Sequence, residues 1–499
     1  MGTAALGATA ALGTTAAGRG VLPVVEQKIQ WQPQRAYAEH GVKRIVQPVL
    51  VAQIHNRREA TSWRPWGGLH NESDIEAEMV RIGKELEQLD RDIVQIKPLI
   101  RVSDVEAARR VRMAGGYDVL LLYPASGGSD ILETLVEDGT DTVVFLRHRS
   151  GPVYLWYEIL HNRFLRKGGG GYELDQYRNP GGVTVDDVAV DDLDELAWRL
   201  RALYGVGNFI GARILALGGS GGWCFADAPE VARDKFALEI IDVSYDELEA
   251  RIRTAVNDRR LDPASEQWTR TYLNLPGTTL ETERPFVRRA FALYALFREM
   301  MSERDTHAFT IKGCMGTVMP MSETTACLPL SLLNDEGNLA FCESDFNVIP
   351  SGILLHHIAR RPVFLNDPTF PHNGLVTVAH CTAPRRMDGV NYAPARVLTH
   401  FESDYGATPK VELERGTPVT MICPDSRQKQ WLGFTGRVQS SPFYDICRSQ
   451  YDIIIDGDWE KLLRDHRGFH WMMAIGDFTR ELGYACRKTG VEWVNVSAA

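Results

Sequence analysis

Short apolar strands alternate with amphipathic helices along most of this 499-residue chain, and this alternation constrains the fold more than any other feature. The run RIVQPVLVAQ at 44–53 is typical of a buried strand, and apolar residues follow at helical spacing between 72 and 90. The pattern repeats through YDVLLLYPAS and DTVVFLRH. Strand–helix–strand order predicts a parallel sheet of the doubly wound, Rossmann- or flavodoxin-like type.

The alternation begins again near residue 204, with ARILALGG as its first strand, and gives way to a strand-rich pattern after about residue 373. We therefore predict an α/β fold with two doubly wound parallel-sheet domains and a mostly β C-terminal domain. The predicted limits are 1–40 for a leader, 41–203 for the N-terminal α/β domain, 204–372 for the central α/β domain and 373–499 for the β-rich domain.

The leader MGTAALGATAALGTTAAGRG has small residues, weak hydrophobicity and no charge before Arg19. It resembles the middle and end of a twin-arginine export signal whose beginning lies upstream of Met1. That interpretation predicts a periplasmic or exported protein, whereas a disordered low-complexity leader would leave it in the cytoplasm. Eight scattered cysteines without a CxxC pair predict buried thiols, which export in the folded state would tolerate.

The charge pattern narrows the choice of partners. A formal net charge of −10 and a pI near 5.8 argue against nucleic acid, because phosphate binding requires a basic surface. Apart from the leader, a partial exception, the apolar runs are too short for a membrane span of about 20 residues. We therefore expect a small-molecule ligand, with no nucleic acid and no membrane.

Two acids bracket an apolar helix and a strand in CESDFNVIPSGILLHHIARRPVFLNDP. Glu343 follows the strand LAFC, and Asp367 follows the strand PVFLN. Groups that follow neighbouring parallel strands meet at the carboxyl edge of the sheet, so we predict that these two acids converge there. The alternative is a helix cap at Glu343–Asp345 and a loop acid at Asp367.

A histidine adds a third candidate metal ligand. His470 lies at the start of a strand in RGFHWMMAIGD. One imidazole and two carboxylates suit Mn²⁺ or Mg²⁺ and leave coordination positions open for two adjacent sugar oxygens. The alternative for a lone histidine at a strand edge is a surface or capped core residue.

Together, CESD, RPVFLND, TVAHCTAP and GFHWMMAIGDFTREL resemble the L-fucose isomerase and L-arabinose isomerase superfamily, most closely its fucose-isomerase-like branch. The resemblance covers roughly residues 40 to 495. It implies a catalytic Mn²⁺, or another divalent metal such as Mg²⁺, held by Glu343, Asp367 and His470. It also implies a homo-oligomer, a hexamer or trimer, that interconverts aldoses and ketoses.

Such a ketol isomerase moves a proton between C1 and C2 through an ene-diolate, with Glu343 and Asp367 as acid and base. We name His380, Lys312 and Trp66 as candidate substrate-binding residues. Their alternatives are a buried structural histidine, a solvent-facing lysine and a core anchor.

Glycine-rich segments predict no nucleotide cofactor, because GVGNFIG precedes its strand and GGSGG lacks the lysine of a phosphate-binding loop. Two other functions stay open. One is a non-catalytic sugar-binding protein on the same scaffold. The other is a metal-dependent enzyme acting on another polyol or glycoside-derived sugar.

Overall fold

The computed structural model describes residues 30–64, 68–136, 139–147, 160, 165, 182–257 and 261–498. It has a mixed α/β architecture in which two parallel sheets precede an antiparallel sheet. Residues 1–29 of the predicted leader lie outside the described residues, and so does Trp66. Within the described ranges, no helix combines the length and apolar character needed to cross a membrane.

The first sheet is parallel, with strand order β2-β1-β4-β5-β6 and β3 paired to the far end of β1. Its buried strands are covered by helices, as parallel sheets require. The strands are β1 Arg44–Val51, β2 Val94–Ile96, β3 Ile100–Val102, β4 Val119–Pro124, β5 Asp141–Leu146 and β6 Val188–Val190. The helices are α1 Glu72–Leu86, α2 Val105–Ala114, α3 Ser129–Leu135 and α4 Leu193–Phe209, with a 3-10 turn at Val185–Asp187.

The second sheet is also parallel, with order β11-β10-β7-β8. Its strands are β7 Arg213–Leu217, β8 Glu239–Val243, β10 Ala308–Ile311 and β11 Leu339–Cys342. The helices of this region are α5 Ala228–Phe236, α6 Tyr245–Asn257, α7 Leu261–Leu273, α8 Arg284–Glu303, α9 Val318–Ser322, α10 Cys327–Asp335 and α11 Ile349–Ala359, with a 3-10 turn at Cys314–Gly316.

The third sheet has order β16-β19-β12-β13-β18-β17-β20, and β16 also pairs with β17, so its first six strands form a closed circuit. Those six strands pair antiparallel. They are β12 Phe364–Pro368, β13 Leu375–His380, β16 Pro418–Pro424, β17 Gln430–Ser440, β18 Ser449–Asp456 and β19 Trp471–Ile475. The remaining elements are β9 Thr278–Leu280, β14 Ala395–Leu398, β15 Thr408–Val411, β20 Glu492–Asn495, α12 Trp459–Asp465 and α13 Thr479–Lys488.

The strand that carries Asp367 corrects one sequence prediction. We predicted that it lies beside the strand of Glu343 in a parallel sheet, and this is wrong. Asp367 lies within β12, which pairs antiparallel with β13 and β19 in the third sheet. Only Glu343 follows a strand of the second parallel sheet. The two acids therefore come from different sheets that face each other.

Helix α11 joins these sheets. It packs against α4 and β19, and all but one of its residues are buried. Two glycines permit the close approach, because a Cβ at Gly205 would lie 2.4 Å from Ile358 Cγ1 and one at Gly352 would lie 2.5 Å from Met472 Cε. Helix α4 runs through the predicted limit between residues 203 and 204, and the domain limits stay predictions.

Candidate metal centre

Glu343 lies in a tight turn directly after β11. Both Glu343 and Ser344 adopt positive φ angles, +66° and +47°, which L-residues other than glycine rarely do. Two such residues in succession cost free energy and are found most often at functional sites. The turn lifts the Glu343 carboxylate to the carboxyl edge of the second sheet, where its side chain is 33% exposed.

The antiparallel pairing of β12 and β19 places Asp367 beside His470. Asn366 of β12 pairs with Trp471 of β19, so Asp367 lies opposite His470, the residue that precedes β19. His380 ends β13 on the other side of β12, where Asp367 pairs with Ala379. Three neighbouring strands therefore present a histidine, an aspartate and a second histidine at one end of the sheet.

Two of the predicted ligands, Asp367 and Glu343, lie close to one ring nitrogen of the third, His470. His470 Nε2 lies 3.2 Å from Asp367 Oδ1 and 3.4 Å from Glu343 Oε2. His380 Nε2 lies 3.6 Å from the other oxygen of Glu343. The two imidazoles are buried while both carboxylates are partly exposed, so the cluster opens toward solvent on its acidic side.

Asp345 fixes the orientation of His470. Its Oδ2 lies 2.7 Å from His470 Nδ1, and the carboxylate is buried. Its Oδ1 accepts hydrogen bonds from the backbone N–H groups of Trp223 and Asn347, each at 3.1 Å. A carboxylate on one ring nitrogen holds the other toward a metal, and partners of this kind tune metal sites in many proteins.

The charges around the two imidazoles favour a cation. Burial lowers the pKa of His470, but Asp345, Asp367 and Glu343 outweigh it and raise the pKa to about 12. Burial also lowers the pKa of His380, but Glu343 and Asp367 outweigh it and raise the pKa to about 9. Burial would raise the pKa of Glu343, but hydrogen bonds from both histidines hold it far below its usual range.

The donor set fits a divalent metal. Asp367, His380 and His470 each offer a ligand atom, and these atoms all lie within 4.8 Å of one another. Cys342, Glu343 and His380 form a second such group. Oxygen and nitrogen donors suit Mn²⁺ or Mg²⁺, whereas the thiol would favour a softer ion.

The two other predicted site residues among the described residues, His380 and Lys312, have different surroundings. His380 belongs to the cluster, and its Nδ1 lies 3.2 Å from Thr382 Oγ1. Lys312 follows β10 at the same sheet edge, but its Nζ donates to Ser220 O at 3.3 Å and forms no ion pair with Glu343 or Asp367. All eight cysteines are free thiols as predicted, but only five of them are buried, because Cys224 is exposed and Cys314 and Cys447 are half-buried.

Two features of the site were not predicted from the sequence. Asp345 was interpreted only as part of a helix cap, although the same ESD motif holds the partner of His470. The second feature is an exposed aromatic pair beside His470. Trp223 and Phe469, 60% and 61% exposed, have ring centroids 6.0 Å apart, and Trp223 lies edge-on to His470 at 6.1 Å. A large aromatic residue directly after the GGSGG turn was the available signal.

No protein-family model matches this sequence, and a search of curated proteins finds no match either.

Proposed function

We propose that this protein is a Mn²⁺-dependent sugar isomerase that interconverts an aldose and a ketose. One observation carries the proposal: the Nε2 atom of a buried, carboxylate-oriented histidine faces two partly exposed carboxylates at 3.2 and 3.4 Å. This arrangement combines ligands for a hard cation with acids that solvent and a small substrate can reach. The resemblance to the fucose-isomerase-like branch supports the same chemistry.

Glu343, Asp367 and His470 would hold the metal, with His380 beside them. A bound divalent cation supplies Lewis acidity for negative charge on two adjacent sugar oxygens. The Asp345–His470 contact keeps Nε2 directed at the site, where a metal would displace its proton. Because Asp345 is itself held by two backbone N–H groups, the imidazole is orientated before any ligand arrives.

The two carboxylates would move the proton. One removes the proton from C2 of the aldose and returns it to C1, while the hydroxyl proton on O2 moves to O1, so the net composition is unchanged. Glu343 is suited to act as the base, because its carboxylate is ionised and partly exposed within the cluster. Asp367, across the cluster, is suited to the transfer between the oxygens.

Trp223 and Phe469 support a sugar as the substrate class. Exposed aromatic rings beside a polar cleft provide a flat apolar surface, and the C–H face of a pyranose or furanose presents a complementary one. The edge-on contact of Trp223 with His470 would bring a stacked sugar close to the carboxylates.

We also propose that both parallel sheets are doubly wound and that the protein assembles as a homo-oligomer. Counting β2 and β3 together, the first sheet has strand order 2-1-3-4-5, and the second has order 2-1-3-4 when counted from β7. These orders are those of flavodoxin-like folds, whose ligands bind where the order reverses. The turns after β7 and β10 lie at that reversal, and the turn after β11, which carries Glu343, is one strand further along.

A substrate screen tests the proposal. Purified protein is stripped with chelator, reloaded with Mn²⁺, and incubated with free pentoses and hexoses in both aldose and ketose forms. We expect one aldose–ketose pair to interconvert only in the metal-loaded protein. Sugar binding without turnover, whichever metal is added, would support a non-catalytic sugar-binding protein. Dehydration or cleavage products would support a metal-dependent enzyme that acts on another polyol.

A further inference from the structure

A second polar cavity lies at the opposite edge of the second sheet. His307 precedes β10 and Asn338 precedes β11, whereas Lys312 and Glu343 follow the same strands. Four-residue strands separate the two edges by about 13 Å. The cavity encloses about 170 Å³, less than the roughly 300–1,000 Å³ of pockets for drug-sized ligands, so it suits a molecule of few heavy atoms.

One wall of this cavity is a pair of stacked imidazoles. The rings of His40 and His307 lie with centroids 3.6 Å apart and planes 6° from parallel. His307 also hydrogen-bonds with the side chain of Asn338. Burial, the neighbouring His307 and two arginines lower the pKa of His40 to about 4, so both rings are neutral near pH 7 and can donate an N–H to a ligand.

The segment that carries His40 is held in place by its backbone. Ala38 N–H donates to Glu336 O at 3.1 Å. Gly337, with φ of +100°, permits this contact because a Cβ there would lie 1.9 Å from Ala38 O. The cavity wall is therefore built before a ligand binds.

Two arginines and two acids line this cavity: Arg35, Arg298, Asp305 and Glu336. Asp305 Oδ2 lies 3.6 Å from Arg213 Nη1. Arg298 pairs with Glu336, and Arg35 forms no ion pair with any acid in the described part of the chain. Both line the cavity, and both contribute to the lowered pKa of His40. A free guanidinium beside two imidazole N–H groups is a set of donors that matches a tetrahedral or planar oxyanion.

One acceptor in the cavity also lacks a partner. Glu336 is 7% exposed, and its Oε2 accepts hydrogen bonds from Tyr294 at 2.6 Å and from Arg298. Its Oε1 is buried and has no hydrogen-bond partner among the described residues. A buried acceptor without a donor is unfavourable, so a ligand hydroxyl placed there would be bound selectively.

We propose that this cavity binds a small hydroxylated oxyanion, with the anionic group on Arg35, His40 and His307 and a neighbouring hydroxyl on Glu336. Phosphorylated and carboxylated short polyols both have this chemistry. The inference does not depend on the isomerase proposal, because the cavity shares no residue with the metal centre.

Isothermal titration calorimetry on the full chain tests it, with glycerol 3-phosphate, glycerate, inorganic phosphate and glycerol as separate ligands. We expect glycerol 3-phosphate or glycerate to bind at least tenfold more tightly than phosphate, and glycerol to bind not at all. The better of the two identifies the anionic group. Absence of binding by both hydroxylated anions at 10 mM would overturn the proposal.

Two variants locate the binding. Arg35→Ala removes the unpaired guanidinium at an exposed position, and His40→Phe keeps a ring against His307 while removing the donor. Each should weaken binding at least tenfold, whereas Arg109→Ala, an exposed arginine on α2, should leave it unchanged. Thermal unfolding of each variant checks that it folds. Binding that survives both substitutions would place the ligand elsewhere and contradict the proposal.

Discussion

Two pairs of histidines lie beside opposite edges of the second sheet and have opposite surroundings, although His380 and His470 belong to the third sheet. At the carboxyl edge, His380 and His470 lie 6.3 Å apart among the carboxylates of Glu343 and Asp367, which raise their pKa values. At the amino edge, His40 and His307 stack at 3.6 Å beside arginines, and their pKa values are lowered. Under our two proposals, the same residue type serves a cation site at one edge and an anion site at the other.

The difference arises from which loops reach each edge. Acids reach the carboxyl edge from the turn after β11 and from β12 of the third sheet. Arginines reach the amino edge from α8 and from the N-terminal segment. The sign of the neighbouring charge, rather than the histidine itself, decides what each edge can bind.

The largest expected effect comes from replacing Glu343 at the carboxyl edge of the second sheet. Glu343→Gln keeps the shape of the side chain and removes the base, so kcat should fall by about 10²- to 10⁴-fold. Glu106→Gln, an exposed acid on α2, is the matched control and should keep full activity. Activity near that of the wild type in Glu343→Gln, with unfolding unchanged, would remove Glu343 from the mechanism.

The contact that orients His470 should have the next largest effect. Asp345→Asn replaces the acceptor for His470 Nδ1 with an amide and should weaken Mn²⁺ binding by about 10- to 100-fold. Asp452→Asn alters another buried carboxylate, which accepts from Thr377 and Ser440 away from the site, and should leave Mn²⁺ affinity unchanged. Equal losses in the two variants would indicate a general effect on folding.

The lowered pKa of His40, in the cavity at the amino edge of the second sheet, predicts that the free energy of unfolding depends on pH. The pKa of His40 is lowered from 6.5 to about 4, so as pH falls the unfolded chain takes up this proton first. The stability contributed by the neutral ring is full above pH 6.5 and is lost between 6.5 and about 4. The free energy of unfolding should therefore fall less steeply with decreasing pH in His40→Phe than in the wild type. The two slopes should differ by less than about 1.4 kcal/mol per pH unit.

Denaturant unfolding at several pH values between 4.5 and 7.5 measures this slope for both proteins. Because His40 is partly exposed, solvent screening keeps the difference below the single-proton limit. Identical slopes would mean that the stacked pair titrates normally and that the contrast between the two edges is smaller than described.

The smallest effect concerns the turn that carries Glu343. Ser344→Gly should raise the free energy of unfolding by about 1 kcal/mol, because its φ of +47° is unfavourable for serine and its buried hydroxyl has no partner in the described chain. Denaturant unfolding measures the change. A loss of stability would show that the serine hydroxyl contributes an interaction that outweighs the backbone strain.

Local periodicity was enough to predict the alternating elements, and the scattered cysteines without a CxxC pair were enough to predict free thiols. Periodicity did not predict the partner strands of PVFLN, because an apolar run of five residues looks the same in a parallel and in an antiparallel sheet. The role of Asp345 depends on a turn with two positive φ angles and on backbone groups from the β7–α5 loop. Such contacts join distant parts of the chain and leave no periodic signal.

Titration of the metal-free protein with Mn²⁺ tests the central claim most directly, when the wild type is compared with the double variant Glu343→Gln/Asp367→Asn. We predict one Mn²⁺ bound per wild-type chain by equilibrium dialysis and none in the double variant at the same concentration. A wild-type chain that binds no divalent cation at millimolar concentration, or a double variant that binds it equally well, would contradict the account.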